Sequence, residues 1–285
     1  MASRMSEPLV WRHRTGEIVL DRTRVMGVLN VTPDSFSDGG RFLDPDAAVR
    51  RGLEMVEEGA DILDIGGEST RPGSEPVPAD EEWRRVSPVI QGLAGKLSIP
   101  ISIDTRKPDI AQKAIRAGAS IVNDVTALQD PGMVPVVANS GVGVILMHLR
   151  GEPKTMQDRP TYVDVVDEVR DFLALRMRKA VTQGIAAEAI ALDPGIGFGK
   201  GLDHNLALLR NLDTLGALGR PVVVGVSRKS FLKRLGAGDE ARDRLAGSLA
   251  AAAFAVAHGA HVIRAHDVLE TTRALRVIDA ILGPR

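Results

Sequence analysis

The chain has no cysteine, which excludes disulfides, thiolate metal ligands and a cysteine nucleophile. Aromatic residues make up only 3%, too few for the stacking platforms of RNA-binding or single-strand-binding modules. Net charge is almost absent: 36 basic residues against 37 acidic ones leave −1 at pH 7. No global field draws the chain to nucleic acid or to a membrane surface, so any bound anion must be held locally. Long apolar runs are missing too, since Gly, Pro or a charge interrupts each one, and no segment reads as a transmembrane helix. The first residues, Met1-Ala2-Ser3-Arg4-Met5-Ser6-Glu7-Pro8, lack the apolar stretch of a signal peptide, which predicts a cytoplasmic protein. The histidines show no His-Glu-x-x-His or similar spacing, which argues against a structural zinc site.

What is present is a core-forming chain. Hydrophobic residues reach 44% over 285 positions, enough to bury a core without staples, and that core must be built from Ala, Val, Leu and Ile. Short Val- and Ile-rich runs alternate with longer segments of helical apolar spacing. Strands are expected near 25–29, 62–65, 101–103, 121–122, 143–147, 190–192, 222–226 and 261–263. Helices are expected near 45–58, 80–97, 108–117, 131–139, 163–183, 203–215, 241–258 and 268–282. Asp44-Pro45 and Asp130-Pro131 each place a capping side chain before a first-turn proline. Gly59, Gly118, Gly184 and Gly259 stand where helices should stop. Eight β-then-α units, in a chain near the ~250 residues typical of such barrels, predict an α/β fold of the TIM (β/α)8 kind. A doubly wound open sheet is the competitor. No linker composition divides the chain. The expectation is a single barrel domain over 21–285, with 1–20 as a short N-terminal extension capping it.

In such a barrel, function gathers where the strands end. The residues there are Asn30, the loop Gly66-Gly67-Glu68-Ser69-Thr70-Arg71, Asp104, Asn123-Asp124, Met147-His148, Asp193, Ser227-Arg228-Lys229-Ser230, and Arg264 with His266. A carboxylate at an apolar barrel mouth is desolvated unless partnered. For one such Asp, a neighbouring amide or Arg is an adequate partner. Asp104, Asn123 and Asp193 together point to a shared ligand with adjacent planar donors, such as a 2-amino-4-oxo-pyrimidine edge, which a carboxylate grips as it grips an Arg fork. Lys229, Arg264, His266 and Arg71 form a cationic group that suggests an anion, and barrels often hold phosphate after strands seven and eight. The alternative for Arg264 is an ion pair with a nearby Asp such as Asp267. Gly195-Ile196-Gly197-Phe198-Gly199-Lys200 fits neither the Walker A nor the dinucleotide spacing. It reads as a flexible strand-to-helix loop that lets backbone approach a ligand. Ser227 to Ser230 lacks the partners of a hydrolytic triad.

Several of these segments resemble one family. Met26-Gly27-Val28-Leu29-Asn30-Val31-Thr32-Pro33-Asp34-Ser35-Phe36-Ser37-Asp38-Gly39-Gly40 is similar to the first signature of the dihydropteroate synthases. Asp64-Ile65-Gly66-Gly67-Glu68-Ser69-Thr70-Arg71-Pro72-Gly73 resembles their second loop. Asp104, Asn123, Met147-His148, Asp193 to Phe198, Gly225 to Lys229 and Arg264 to Asp267 match the remaining elements in order. The resemblance runs from about Met26 onward. It implies a transferase of folate biosynthesis, usually a homodimer and a sulfonamide target, that joins 7,8-dihydropterin-6-ylmethyl diphosphate to 4-aminobenzoate. It implies a pterin pocket of Asp104, Asn123, Met147, Asp193, Phe198, Gly225 and Lys229. Asn30 would ligate Mg²⁺ on the diphosphate, with Arg264 and His266, across the barrel mouth, holding that anion. Phe36, Ser69, Thr70, Arg71, Pro72 and Ser230 would form the aminobenzoate site, with Asp38 acting in the closed complex. Asn30, Asp38, Lys229, Arg264 and His266 would thus be the catalytic set. Neither nucleic acid nor membrane is a partner on this reading. Methyltetrahydrofolate:corrinoid methyltransferases share the barrel and the pterin pocket but have no diphosphate to hold, so the Asn30, Arg264 and His266 group discriminates against them. A pterin-binding relative without catalysis is the remaining alternative.

Overall fold

Strand-forming runs of Val, Ile and Leu close here into a barrel. In a computed structural model, which describes residues 8–32, 44–69, 74–151, 155–156 and 160–284, eight strands lie parallel: β3 (Arg24–Asn30), β4 (Ile62–Gly66), β5 (Ile101–Asp104), β6 (Ile121–Asp124), β7 (Gly143–Met147), β8 (Ile190–Asp193), β9 (Val223–Gly225) and β10 (Val262–Ala265). Their order around the sheet is β8-β7-β6-β5-β4-β3-β10-β9. The ring closes between β8 and β9 through a bridge of Leu192 with Val222. This is the TIM barrel, and the open-sheet alternative falls away.

Helices follow the strands on the outside: α1 (Pro45–Glu57), α2 (Ala79–Leu93), α3 (Pro108–Ala117), α4 (Met133–Ser140), α5 (Val165–Thr182), α6 (Leu202–Arg210), α7 (Asp213–Gly216), α8 (Ser230–Arg234), α9 (Leu245–Ala257) and α10 (Val268–Leu282). The punctuation works as the sequence implies. Asp44 accepts from the Asp46 N–H at the start of α1, and Gly59, Gly118, Gly184 and Gly259 all have positive φ. Two expected helices are broken. The 203–215 segment divides into α6 and α7, and the 241–258 segment opens with a 3-10 turn at Ala241–Arg244. Asp130 caps a turn, accepting from the Gly132 N–H at 2.8 Å, so α4 starts at Met133 rather than at the proline.

Strand alternation sorts the barrel into two apolar layers and one polar one. On β4, Leu63 and Ile65 face the helices in the main core. Ile62 faces the lumen, and by the two-residue period so do Asp64 and Gly66. The lower lumen is filled by Met26, Ile62, Ile121, Ile145, Ala191, Val223 and Val262. Trp11, Ile18 and Leu20 join this layer from below. Trp11 and Ile18 belong to a hairpin of β1 (Val10–His13) and β2 (Gly16–Val19), and Leu20 follows it. Trp11 is fully buried, and its indole N–H donates to the Ala189 carbonyl at 2.9 Å. At about 25 cal/mol per Å², the roughly 200 Å² of a buried Trp stabilises by on the order of 5 kcal/mol.

Candidate active site

The upper lumen is polar because the side chains that continue the inward-facing rows are Asp, Asn, Arg and Ser. Asn30, Asp104, Asn123, Asp193 and Arg264 lie inside strands or end them, rather than just past the strands as expected, while Met147 ends β7 at the expected position. A polar side chain on the lumen side does not end a strand, because its backbone still pairs with both neighbours. Asp104 and Asn123 are register partners on β5 and β6, and Met147 and Asp193 are partners on β7 and β8. Asp104, Asn123 and Asp193 are each less than a tenth exposed.

One buried network ties these groups together. Arg264 Nε donates to Asp64 Oδ2 at 2.7 Å and Nη2 to Asp104 Oδ2 at 2.8 Å. Asn123 Nδ2 donates to the same Asp64 oxygen at 3.0 Å. Asp64 is completely buried, and its Oδ1 has no hydrogen-bond partner. Asp64 is absent from the site residues expected from sequence. The signal for it is an ionisable side chain two positions after Ile62, on the same face of an apolar strand. The alternative ion pair between Arg264 and Asp267 does not form. Asp267 instead takes Arg228, whose Nε reaches it at 3.0 Å, while Arg264 turns inward to Asp64 and Asp104. Asp124, next to Asn123, serves the backbone: it accepts from the Thr126 and Leu128 N–H groups at 2.8 and 2.9 Å.

Burial sets the protonation of the site. It pushes the Asp104 carboxyl up to about 7 against the pull of Arg264, and it raises Asp193 despite the Gly195 N–H at 2.7 Å. It lowers the Lys229 ammonium to about 7, with Asp193 opposing. Lys229 Nζ donates to the Ile196 carbonyl at 2.8 Å and sits 4.0 Å from the centroid of the Phe198 ring. Phe198 packs with Met147, Val125, Leu149 and Met156, an apolar wall beside the acidic and cationic groups. Gly225 lies beside Arg264, where a Cβ would stand 3.8 Å from the Arg264 Cβ.

Two glycines of the 195–200 loop press against the segment after β7: a Cβ on Gly195 would lie 2.0 Å from the His148 carbonyl oxygen, and one on Gly199 2.3 Å from that of Arg150. Buried Lys200 ties the loop further, through His148 Nδ1 at 2.9 Å and the Phe198 carbonyl at 2.9 Å. Asn205 Oδ1 accepts from the Gly197 N–H at 2.7 Å.

The anion group is local rather than opposed. Asn30 ends β3, which pairs directly with β10, so Asn30 and Arg264 sit on neighbouring strands with His266 just past β10, not across the mouth. The adjacency follows from closure, which sets the last barrel strand against the first. The His266 N–H donates to Ser227 Oγ at 3.2 Å, and its Nδ1 lies 3.0 Å from the same oxygen. Ser230 is the exposed first residue of α8. The carbonyl of Ser69 accepts from Ser74 Oγ at 2.5 Å. Phe36, Asp38, Thr70, Arg71 and Pro72 lie outside the described residues. No group of three or more His, Asp or Glu able to cage a metal occurs among the described residues. The carboxylates of Asp104 and Asp193 thus stand opposite the apolar Phe198 wall, with the cationic Arg264 and Lys229 beside them.

Comparison with known proteins points the same way. The family described as pterin binding enzyme matches residues 26–266. The dihydropteroate synthase of Neisseria meningitidis serogroup B is 48% identical over 278 residues, covering 95% of this chain and 97% of that protein. A solved structure of Xanthomonas albilineans dihydropteroate synthase with 4-aminobenzoic acid superposes with a TM-score of 0.88 at 48% identity, covering 94% of this chain and 96% of the other. Another from the same organism, in complex with 7,8-dihydropteroate, gives 0.86 at 45% identity over the same shares. The likeness spans barrel, strand ends and sequence, and the chain belongs to the pterin-binding enzymes, within the dihydropteroate synthase family of transferases.

Proposed function

We propose that this chain condenses 7,8-dihydropterin-6-ylmethyl diphosphate with 4-aminobenzoate, forming 7,8-dihydropteroate and releasing pyrophosphate. The observation that carries the reading is the buried lumen set of Asp104, Asn123 and Asp193 beside Arg264 and Lys229. Asp193 and Asn123 meet the amino and ring N–H edge of the pterin, and Asp104 accepts from its further donors. A carboxylate facing two adjacent N–H groups makes the strong bidentate form of hydrogen bond. Met147 and Phe198 cover the faces of the ring, and Gly225 leaves room for it. Lys229 stands between pterin and anion.

Arg264 and His266 draw the diphosphate toward β10. Asn30 offers an amide oxygen, a hard donor suited to Mg²⁺, which binds through few protein ligands together with substrate phosphates. Among the described residues Asn30 offers the donor for such an ion, which would arrive with the diphosphate. Such an ion would neutralise charge growing on the departing diphosphate. The side chains act on the same charge: Arg264 and His266 present donors where it develops, in a site shielded from water. The C–O bond breaks ahead of attack, because the pterin ring stabilises the benzylic-type cation left behind. The arylamine is neutral at pH 7 and attacks without a strong base, and the proton it sheds on forming the C–N bond passes to the released pyrophosphate or to solvent. No covalent enzyme intermediate forms. Ser69 and Ser230 are placed at the aminobenzoate end, where an aryl sulfonamide would compete.

Purified chain supplied with Mg²⁺, the pterin diphosphate and 4-aminobenzoate should release pyrophosphate in proportion to dihydropteroate formed. Pterin binding with no pyrophosphate release under varied conditions would leave only a binding protein. We further propose a homodimer through α9 and α10. These helices pack together, and no charged residue interrupts Leu245–Ala257. Phe254 on α9 and Val277 and Ile281 on α10 are exposed, an apolar surface of the kind that marks protein contact. A cytoplasmic location remains part of this reading. No helix among the described residues is long and apolar enough to cross a membrane.

A further inference from the structure

Two turns carry the cationic side of the mouth. One leaves β9 and runs through Ser227 and Arg228 to Lys229; the other leaves β10 and contains His266 and Asp267. Arg228 has φ +59°, a left-handed conformation that a non-glycine residue keeps only where its surroundings hold it. The holding contacts are specific. The Arg228 N–H donates to Ser248 Oγ at 2.9 Å. Its carbonyl accepts from Arg244 Nη1 at 3.0 Å. Ser248 Oγ in turn donates to the Arg244 carbonyl at 2.7 Å. The guanidinium forms a two-point ion pair with Asp267, Nε to Oδ2 at 3.0 Å and Nη2 to Oδ1.

A glycine would adopt this backbone without strain. The arginine there is held by these contacts, and its side chain is committed to Asp267, the residue after His266. Ser227, the residue before Arg228, grips His266 through its backbone N–H and its ring. The two turns are therefore joined twice, once at His266 itself and once at the residue that follows it. Lys229 has separate anchors in the Ile196 carbonyl and the Phe198 ring. The join thus bears on the anion side of the site and not on Asp193 or Asn123.

We propose that Arg228 and Asp267 are positioning residues for the diphosphate: their ion pair holds the strained turn that presents Ser227 to His266 and so fixes the direction in which the imidazole faces the anion. The proposal rests on the assignment of His266 to the diphosphate. Both residues of the pair are committed to each other and would act through His266.

The test uses the full chain with Mg²⁺ and compares Arg228→Gly, Asp267→Asn and His266→Ala. Three quantities are read for each: the Kd of inorganic pyrophosphate, the Kd of 6-hydroxymethyl-7,8-dihydropterin, which lacks the diphosphate, and Tm. Arg228→Gly and Asp267→Asn should each weaken pyrophosphate by about tenfold, the scale of loss when a supporting hydrogen-bond partner is removed at a ligand site. The diphosphate-free pterin should bind as before. Tm of Arg228→Gly should stay close to that of the parent, because relief of backbone strain offsets the lost pair. Should Arg228→Gly not fold, Asp267→Asn decides alone, since it keeps the side-chain shape. Unchanged pyrophosphate affinity in the pair variants, beside a loss in His266→Ala, overturns the proposal. A parallel fall of pterin affinity and Tm also overturns it, by showing an ordinary structural ion pair. Unchanged pyrophosphate affinity in His266→Ala removes the underlying assignment instead.

Discussion

Lys229 has a proton balance that folding alters. Burial brings its ammonium from the ordinary 10.5 down to about 7, so the folded chain binds fewer protons than the unfolded chain between those values. Stability from this residue is present above 10.5 and is lost as pH falls toward 7, with a slope of at most about 1.4 kcal/mol per pH unit. Asp104 works below that window. Its carboxyl rises from 3.8 to about 7, so its contribution is present below 3.8 and is lost as pH climbs to 7. Lys200 is also lowered by burial, so the difference between two proteins is the clean readout. Chemical denaturation of the parent and of Lys229→Met at several pH values above 7 should show a shallower rise of stability in the variant. Equal slopes would mean that Lys229 keeps its ordinary proton affinity in the fold. Most of this residue set is legible in the sequence, because Asp104, Asn123, Asp193 and Lys229 stand at the ends of recognisable strands. Asp64 is not, since it sits within a short apolar run that marks a strand without marking which face looks into the lumen. The partner of Arg264 is hidden for a related reason: Asp267 is near in sequence, but the lumen brings Asp64 and Asp104 near in space.

The loop between β8 and α6 is a fitted element rather than a loose one. Gly195 has φ +66° and Gly199 φ +63°, and both press against carbonyls of the segment after β7. Replacing Gly195 by Ala puts a methyl carbon within 2.0 Å of the His148 oxygen, a clash that only a backbone shift relieves. Gly195→Ala should lower stability by more than the ~1 kcal/mol that an unhindered left-handed alanine costs. It should also weaken pterin binding, because Asp193 bonds the Gly195 N–H and Phe198 lies in the same loop. Thermal denaturation together with pterin titration checks both, and a variant of parental Tm would show that the loop yields easily. The glycine spacing is visible in the sequence, but its partner is not, for the contact is with another loop dozens of residues away. The β1–β2 hairpin is equally hard to read, because its two-residue turn, Arg14-Thr15, carries none of the Asn-Gly or Asp-Gly signal such turns usually show. Its strands are only four residues each, too short to establish a period.

The whole barrel is the most legible level. Eight repeats of one supersecondary unit state a topology more firmly than any one of them states its own ends. The assembly above it is the least legible, because α9 reads as a buried helix in sequence while its Phe254 is exposed in the fold. If α9 and α10 form the contact between two copies, sedimentation of the parent should give a dimer, and Phe254→Asp should shift it toward monomer at the same concentration. A parent that sediments as a monomer would remove the dimer from the proposal. The hairpin under the barrel has a consequence for traffic. With Trp11, Ile18 and Leu20 filling the floor, the described residues close the lumen from below and leave the strand tips as its way in. Two substrates must enter and two products leave by that one opening, so a lingering product blocks the next arrival at the door itself, whichever pocket it occupied.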